Sequence, residues 1–222
     1  MLRMLSSSAI ALRPARPVGA ARAALAPLAA AVLAAGCVRR PASPAAPAPR
    51  SAPGVRSGAA AAAPAPTPEE ADWLRARGLA VPVLGVYPDQ LRDSFDEPRS
   101  GARVHRAIDI FAPRGTPVLA ADDGRVVRVS RNALGGLTVY AVDDSDRFVY
   151  YYAHLDRYRP GLAPGMRLAK GDVIGYVGTT GNAPPNAPHL HFQVMRAGAA
   201  RRWWDGVPLD PRPYFVTGGI ER

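Results

Sequence analysis

LTVYAVDDSDRFVYYYAHL, residues 137–155, reads as two strands and the turn between them. Large apolar and aromatic side chains alternate along both arms, the period of a sheet that packs one face, and the DDSD cluster interrupts them with turn formers. In the second arm this period puts Tyr150 and Tyr152 on one face and Tyr151 on the other, and packing is the role expected of all three. The arm ends on His154.

The same grammar continues on both sides. VLAADDGRVVRV (118–129) sets Asp-Gly between two apolar runs, a hairpin signal. GMRLAKGDVIGYVG (165–178) supplies another turn and a short strand, and HLHFQVM (189–195) the last strand. AIDIFAP (107–113) is a short β-branched strand bounded by Gly101 and Pro113. No stretch after residue 80 carries a helical period, so the expected fold is mainly β: an antiparallel sheet domain over 95–222 with an open groove. About 140 residues suffice for one core. Before it, 69–94 reads as a lead-in whose opening, PEEADWLRARGL from Pro68, has acids in a first helical turn and Gly78 as a stop.

Composition changes sharply near residue 68. The first 68 residues hold eight arginines and no Asp, Glu or His, so they carry +8 of the net charge of +10. The rest is nearly neutral, with 20 Lys and Arg against 18 Asp and Glu, and no folded surface gathers the excess. Nucleic-acid binding is therefore not expected. Residues 38–68 are rich in Pro and Ala with almost nothing large to bury, a disordered, extended tether reaching at most about 90 Å in polyproline form.

The apolar run at 23–35 follows four arginines and is too short for a membrane span, which makes 1–37 an export signal. LAAGC at 33–37 resembles the lipobox of bacterial lipoproteins, and that resemblance implies a lipid on Cys37 and a membrane anchor on the periplasmic face of the envelope. A plain secretory signal, giving a soluble secreted form, is the alternative. A single cysteine excludes an internal disulfide and a Cys-rich zinc site, so any metal here is held by nitrogen and oxygen. Nothing in the sequence specifies an oligomeric state.

All four histidines lie in the β-rich part: His105, His154, His189 and His191. A lone histidine is commonly structural, but His189 and His191 stand at i and i+2 of one strand and so share a face. If Ile108 and Ile110 face the core, Asp109 lies on the opposite side of its strand. An unpaired carboxylate there is costly, which calls for a cation: a metal ion, or a salt bridge to a nearby arginine.

HRAID (105–109), YAHL (152–155), GTTG (178–181) and HLHF (189–192) together resemble, in order, the motifs of the M23 zinc metallopeptidases, the LytM or lysostaphin-type peptidoglycan endopeptidases. The resemblance covers residues 95–196. It implies zinc on His105, Asp109 and His191, with His154 and His189 as the unligated catalytic pair. Ala107 stands where the family often has Gly, and NAPPNAP (182–188) replaces a shorter Gly-containing loop, a difference that bears on substrate preference. The function implied is hydrolysis of peptide cross-links in bacterial cell wall. The rival is a non-catalytic wall-binding or amidase-activator module of the same fold, and such modules usually lack some of the five residues present here. Other divalent ions also suit a site of two histidines and an aspartate.

Two further stretches each carry two readings. The glycines at 175, 178 and 181 lack the Lys-Ser/Thr and the helix of a phosphate loop and read as tight turns, in which the Thr180 hydroxyl satisfies backbone or else lines the cleft. RRWWDG (201–206) reads as an aromatic closure of a core, with a sugar-stacking platform as the alternative.

Overall fold

The computed structural model describes residues 65–99, 103–199 and 202–216. The signal segment, Cys37 and the tether up to residue 64 lie outside the described residues. Helix α1 (Pro68–Arg77) starts where the sequence changes character: Thr67 caps it, its hydroxyl accepting from the Glu70 N–H while its own N–H donates to Glu70 Oε2 at 2.7 Å. Gly78, left-handed at φ 58°, ends it. Glu70, Ala71 and Leu74 are its buried residues. Trp73 stacks on Phe148 at 5.0 Å, and Glu70 accepts from Arg196 at 3.0 Å, two of the contacts that join helix to sheet. Beyond Arg77 the lead-in to residue 94 is irregular apart from isolated bridges and a single 3-10 turn at Pro88–Gln90.

Eleven strands follow. β1 (Pro98–Arg99) and β2 (Arg103–Val104) form a small hairpin of their own. The others, β3 (Ile108–Phe111), β4 (Pro117–Leu119), β5 (Gly124–Asn132), β6 (Gly136–Val142), β7 (Phe148–Tyr158), β8 (Arg167–Leu168), β9 (Val173–Val177), β10 (His189–Arg196) and β11 (Val207–Leu209), build one nine-stranded sheet. Every named strand pair is antiparallel, with β11-β10-β7-β6-β5-β8 as its spine, β3 added to β10, and β9 to β7 and β4. β6 and β7 are the hairpin read from residues 137–155.

Two sequence expectations fail. VLAADDGRVVRV is no hairpin: β4 pairs with β9, and β5 with β6 and β8. The Asp122 carboxylate accepts from the Asp123 N–H at 2.9 Å and also takes distant partners, Arg77 Nη2 at 2.8 Å and the Tyr150 hydroxyl at 2.8 Å. Gly124 is required for another reason, because a Cβ there would lie 2.0 Å from the Val142 carbonyl oxygen. Nor is HLHFQVM the last strand. β11 pairs with its far end, Val194 opposite Leu209.

The sheet has two unlike faces. Ile108, Ile110, Tyr150, Tyr152, Leu190, Phe192 and Val194 turn to the back and pack with Leu74, Leu79, Val83 and Val118 in the main core. The front face carries Asp109, Tyr151, His189, His191 and Gln193, and beyond them a small cluster of Val142, Val149 and Met195 against which Tyr140 and Trp203 pack. Trp203 therefore closes apolar surface, as read from RRWWDG, while Trp204 stays 56% exposed. Among the described residues no helix is long and apolar enough to cross a membrane.

Asp122 is fully buried and pins the helix end, the β4–β5 crossing and β7 together. Removing one partner of a buried, hydrogen-bonded charge pair costs about 3–5 kcal/mol, whereas losing a neutral hydroxyl bond costs about 1–2 kcal/mol. Urea unfolding of Asp122→Ala is expected to show the larger loss, and of Tyr150→Phe the smaller.

Candidate metal centre and catalytic pair

Register places half of the site. β10 pairs with β3 so that His191 stands opposite Asp109, and His189 opposite Phe111. Opposed residues of an antiparallel pair project to one face. Asp109 and His191 thus meet on the front of the sheet, Nδ1 to Oδ1 at 3.1 Å. His105 comes from the turn between β2 and β3, where Arg106 takes a left-handed φ of 57° and its carbonyl accepts from Gln193 Nε2 at 2.7 Å. Its Nε2 lies 3.0 Å from Asp109 Oδ1 and 3.0 Å from His191 Nδ1.

These three atoms form a nearly equilateral triangle. His105 Nδ1 faces the Ser94 carbonyl at 2.8 Å, which keeps the ring hydrogen there and leaves a lone pair on Nε2. Electron-rich atoms this close repel unless a cation lies among them. Donors at about 2.0–2.1 Å on a tetrahedral zinc stand roughly 3.3 Å apart, near the 3.0–3.1 Å found here. The residues fit a divalent metal, with Ser94 as outer support: its carbonyl orients His105 and its Oγ accepts from the Asp109 N–H at 3.1 Å. The salt bridge weighed as an alternative exists as well, Arg99 Nη2 donating to Asp109 Oδ2 at 2.6 Å. Arg99 takes the outer oxygen and leaves Oδ1 to the triangle. Burial pushes the Asp109 carboxyl up, but the adjoining His105 and His191 rings outweigh it and hold the group well below the usual carboxylate range.

His154 needs a different device. Strict alternation after Tyr152 and Ala153 would send it to the back face, into the core. Instead β7 carries a bulge: Leu155 opposes Leu137 and Tyr152 opposes Val139, which leaves one extra residue in β7. His154 takes φ 60°, its N–H donates to the Gly135 carbonyl, and its ring turns to the front. There it meets His189, ring centroids 4.9 Å apart. His154 Nδ1 donates to the Thr180 carbonyl at 2.8 Å and His189 Nδ1 to the Ala187 carbonyl at 2.8 Å. Each therefore presents Nε2 with a lone pair. Burial pushes the His154 imidazole down to about 4, against the pull of the Thr180 carbonyl, so it is a neutral proton acceptor at ordinary pH. His189 Nε2 stands 3.8 Å from Asp109 Oδ1, outside the triangle.

GTTG acquires a physical meaning here. Thr180 Oγ1 donates to the Leu155 carbonyl at 2.7 Å and accepts from the Leu137 N–H at 2.9 Å, the backbone role expected of it. A Cβ on Gly178 would lie 2.3 Å from the Asp156 nitrogen, and one on Gly181, left-handed at φ 77°, 2.3 Å from the Gly136 nitrogen. The glycines let this turn press against β6 and β7 and deliver the Thr180 carbonyl to His154.

The structure brings all five expected residues, His105, Asp109, His154, His189 and His191, to one cleft of about 480 Å³. Sequence reasoning missed the backbone carbonyls of Ser94, Thr180 and Ala187, which carry no side-chain signal. It also missed Arg99. Tyr151, for which the sequence predicts packing, lines the cleft, edge-on to His191 with ring centroids 6.0 Å apart.

The chain is similar to known proteins. The chain is 33% identical over 52% of its length to an L-Ala–D-Glu endopeptidase of Bacillus subtilis, covering 35% of that protein. It is 33% identical over 52% of its length to the glycyl-glycine endopeptidase ALE-1 of Staphylococcus capitis, covering 30% of it. The chain thus spans about a third of the length of these relatives. Its fold is similar to that of LytM from Ruminococcus gnavus, with TM-score 0.53 and 25% identity over 64% of this chain and 60% of the other. The model of Peptidase family M23 matches residues 103–211, a span holding the donor triangle, the bulged strand and the HLHF strand, and this part of the chain is an M23 peptidase domain.

Proposed function

We propose that this protein is an exported, zinc-dependent endopeptidase that hydrolyses peptide cross-links of bacterial peptidoglycan. The observation that carries the reading is the donor triangle of His105, Asp109 and His191 beside two further imidazoles that are not part of it. Zinc held there supplies a Lewis acid for the scissile carbonyl and lowers the pKa of a bound water. His154, held neutral by burial, accepts a proton at Nε2. Protonated, it becomes a donor to the departing amine. His189, fixed by the Ala187 carbonyl, stands across from His154, and when its Nε2 is protonated it donates to the oxygen that gains charge. A cleft lying open along the front of the sheet suits an extended peptide within a mesh.

A wall-binding or activator module has no use for His154 turned forward by a bulge, and the two readings separate on digestion of purified wall. Muropeptide release that stops with a chelator and returns with zinc is expected. Binding without release assigns the module instead. His154→Ala and His189→Ala are expected to keep the metal, read by elemental analysis, and to lose about 10²–10⁴-fold in rate, the usual worth of general acid-base groups. His105→Ala and Asp109→Ala lose the metal itself.

Gly181→Ala tests the support of His154 without touching a reacting group. Activity falls and metal content holds, because the displaced turn takes the Thr180 carbonyl with it. For the envelope location, LAAGC at 33–37 supports a lipid on Cys37. Palmitate labelling in cells, lost in Cys37→Ser together with membrane retention, is the expected result, and an unlabelled, soluble native protein assigns the plain secretory signal.

A further inference from the structure

One aromatic ring belongs neither to the core nor to the cleft. Trp204 stays 56% exposed, although an indole gains more by burial than almost any other side chain. It is nevertheless held in place. Its ring meets Trp203 edge-on with centroids 4.7 Å apart, and Trp203 is packed on the small front cluster. The turn that carries both is pressed onto β10, where a Cβ on Gly206 would lie 2.7 Å from the Met195 Cβ. A row of rings leads from there to the cleft: Trp203 meets Tyr140 at 4.5 Å, Tyr140 meets Tyr151 at 4.4 Å, and Tyr151 lines the cleft beside His191. Arg202 and Asp205, both exposed, flank the outermost ring. The Arg202 guanidinium lies 5.9 Å from the Trp204 centroid, and Arg202 Nε stands 3.7 Å from Asp205 Oδ2.

We infer that Trp204, with Arg202 and Asp205 beside it, is a sugar-binding platform that stacks on a ring of the glycan to which the bound peptide is attached. The inference rests on the peptidoglycan hydrolase reading and adds a second contact to the same substrate. The chemistry selects a carbohydrate. A pyranose has a face of C–H bonds that lies flat on an indole, while its edge carries hydroxyl and acetamido groups that need donors and acceptors together. At the rim of the ring Arg202 supplies donors and Asp205 acceptors. An anionic lipid surface would use the cation and be opposed by the carboxylate; a sugar uses both. The spacing agrees. An extended peptide spans about 3.3–3.6 Å per residue, and the row of rings from His191 to Trp204 advances in steps of 4.4–6.0 Å. A peptide of a few residues, bound at the triangle and lying along that row, therefore carries the sugar at its end to Trp204.

Binding is tested first, by titrating the β-1,4-linked tetramer of N-acetylglucosamine into the zinc-loaded full chain and following indole fluorescence. A saturable change is expected, lost in Trp204→Ala and kept in weaker form in Trp204→Tyr, with an unchanged denaturation midpoint showing that each variant is folded. Vesicles of anionic phospholipid are titrated in the same way. A response to vesicles without one to the tetramer assigns the ring to a membrane and overturns the inference. Rates are then compared on cross-linked wall fragments that carry their glycan and on the same fragments with the glycan removed. The native chain is expected to favour the glycan-bearing form about three- to ten-fold in kcat/KM, the worth of one aromatic contact, with the difference falling on KM. Trp204→Ala brings that ratio towards one. Absence of tetramer binding, or a ratio that Trp204→Ala leaves alone, overturns the platform. Cleavage of neither fragment overturns the hydrolase reading, and the tetramer titration still decides whether Trp204 binds sugar.

Discussion

Three electron-rich atoms are forced to within about 3 Å of each other on the front of the sheet: His105 Nε2, Asp109 Oδ1 and His191 Nδ1. No local interaction would bring them together. The convergence is imposed from behind, where Ile108, Ile110, Leu190 and Phe192 interlock in the core and fix the register of β3 against β10. A slip of one residue would exchange the faces of a strand and bury Asp109 while exposing Ile108. Apolar packing on one side of the sheet thereby does the work of holding mutually repelling donors on the other, and a cation relieves what the packing imposes.

The same division of labour extends to the second pair of imidazoles. His154 and His189 are held through their Nδ1 atoms by main-chain carbonyls, and each carbonyl is fixed by a turn of glycine or proline. Thr180 serves twice, its hydroxyl tying β6 to β7 and its carbonyl steering His154. Side chains that touch a substrate are thus oriented by backbone that never does. This arrangement points the reactive nitrogens at the same volume.

Much of this was legible beforehand because it follows from periodicity. The alternation in 137–155 gave a hairpin, the i, i+2 spacing put His189 and His191 on one face, and the burial of Ile108 and Ile110 turned Asp109 outward. Four motifs in order then marked the five site residues. The Asp-Gly at 123–124 misled because the choice between a tight turn and a crossing depends on Arg77 and Tyr150, far away in the chain. Arg99 and the carbonyls of Ser94, Thr180 and Ala187 were invisible for a related reason. Their roles come from where the folded backbone passes, and nothing in their own residue type announces it.

The bulge in β7 makes the parity of residue number between Tyr152 and Leu155 matter more than their identity. Adding one residue to β6 between Leu137 and Val139 would match the two spans, restore simple alternation, swing the imidazole of His154 inward among hydrocarbon, and keep every motif residue in the text. A comparison by matched letters alone would score such a chain as intact. Counting the spacing between YAH and the following leucine against the facing strand is thus a sharper reading of whether a chain of this kind retains its proton acceptor than the presence of the histidine itself.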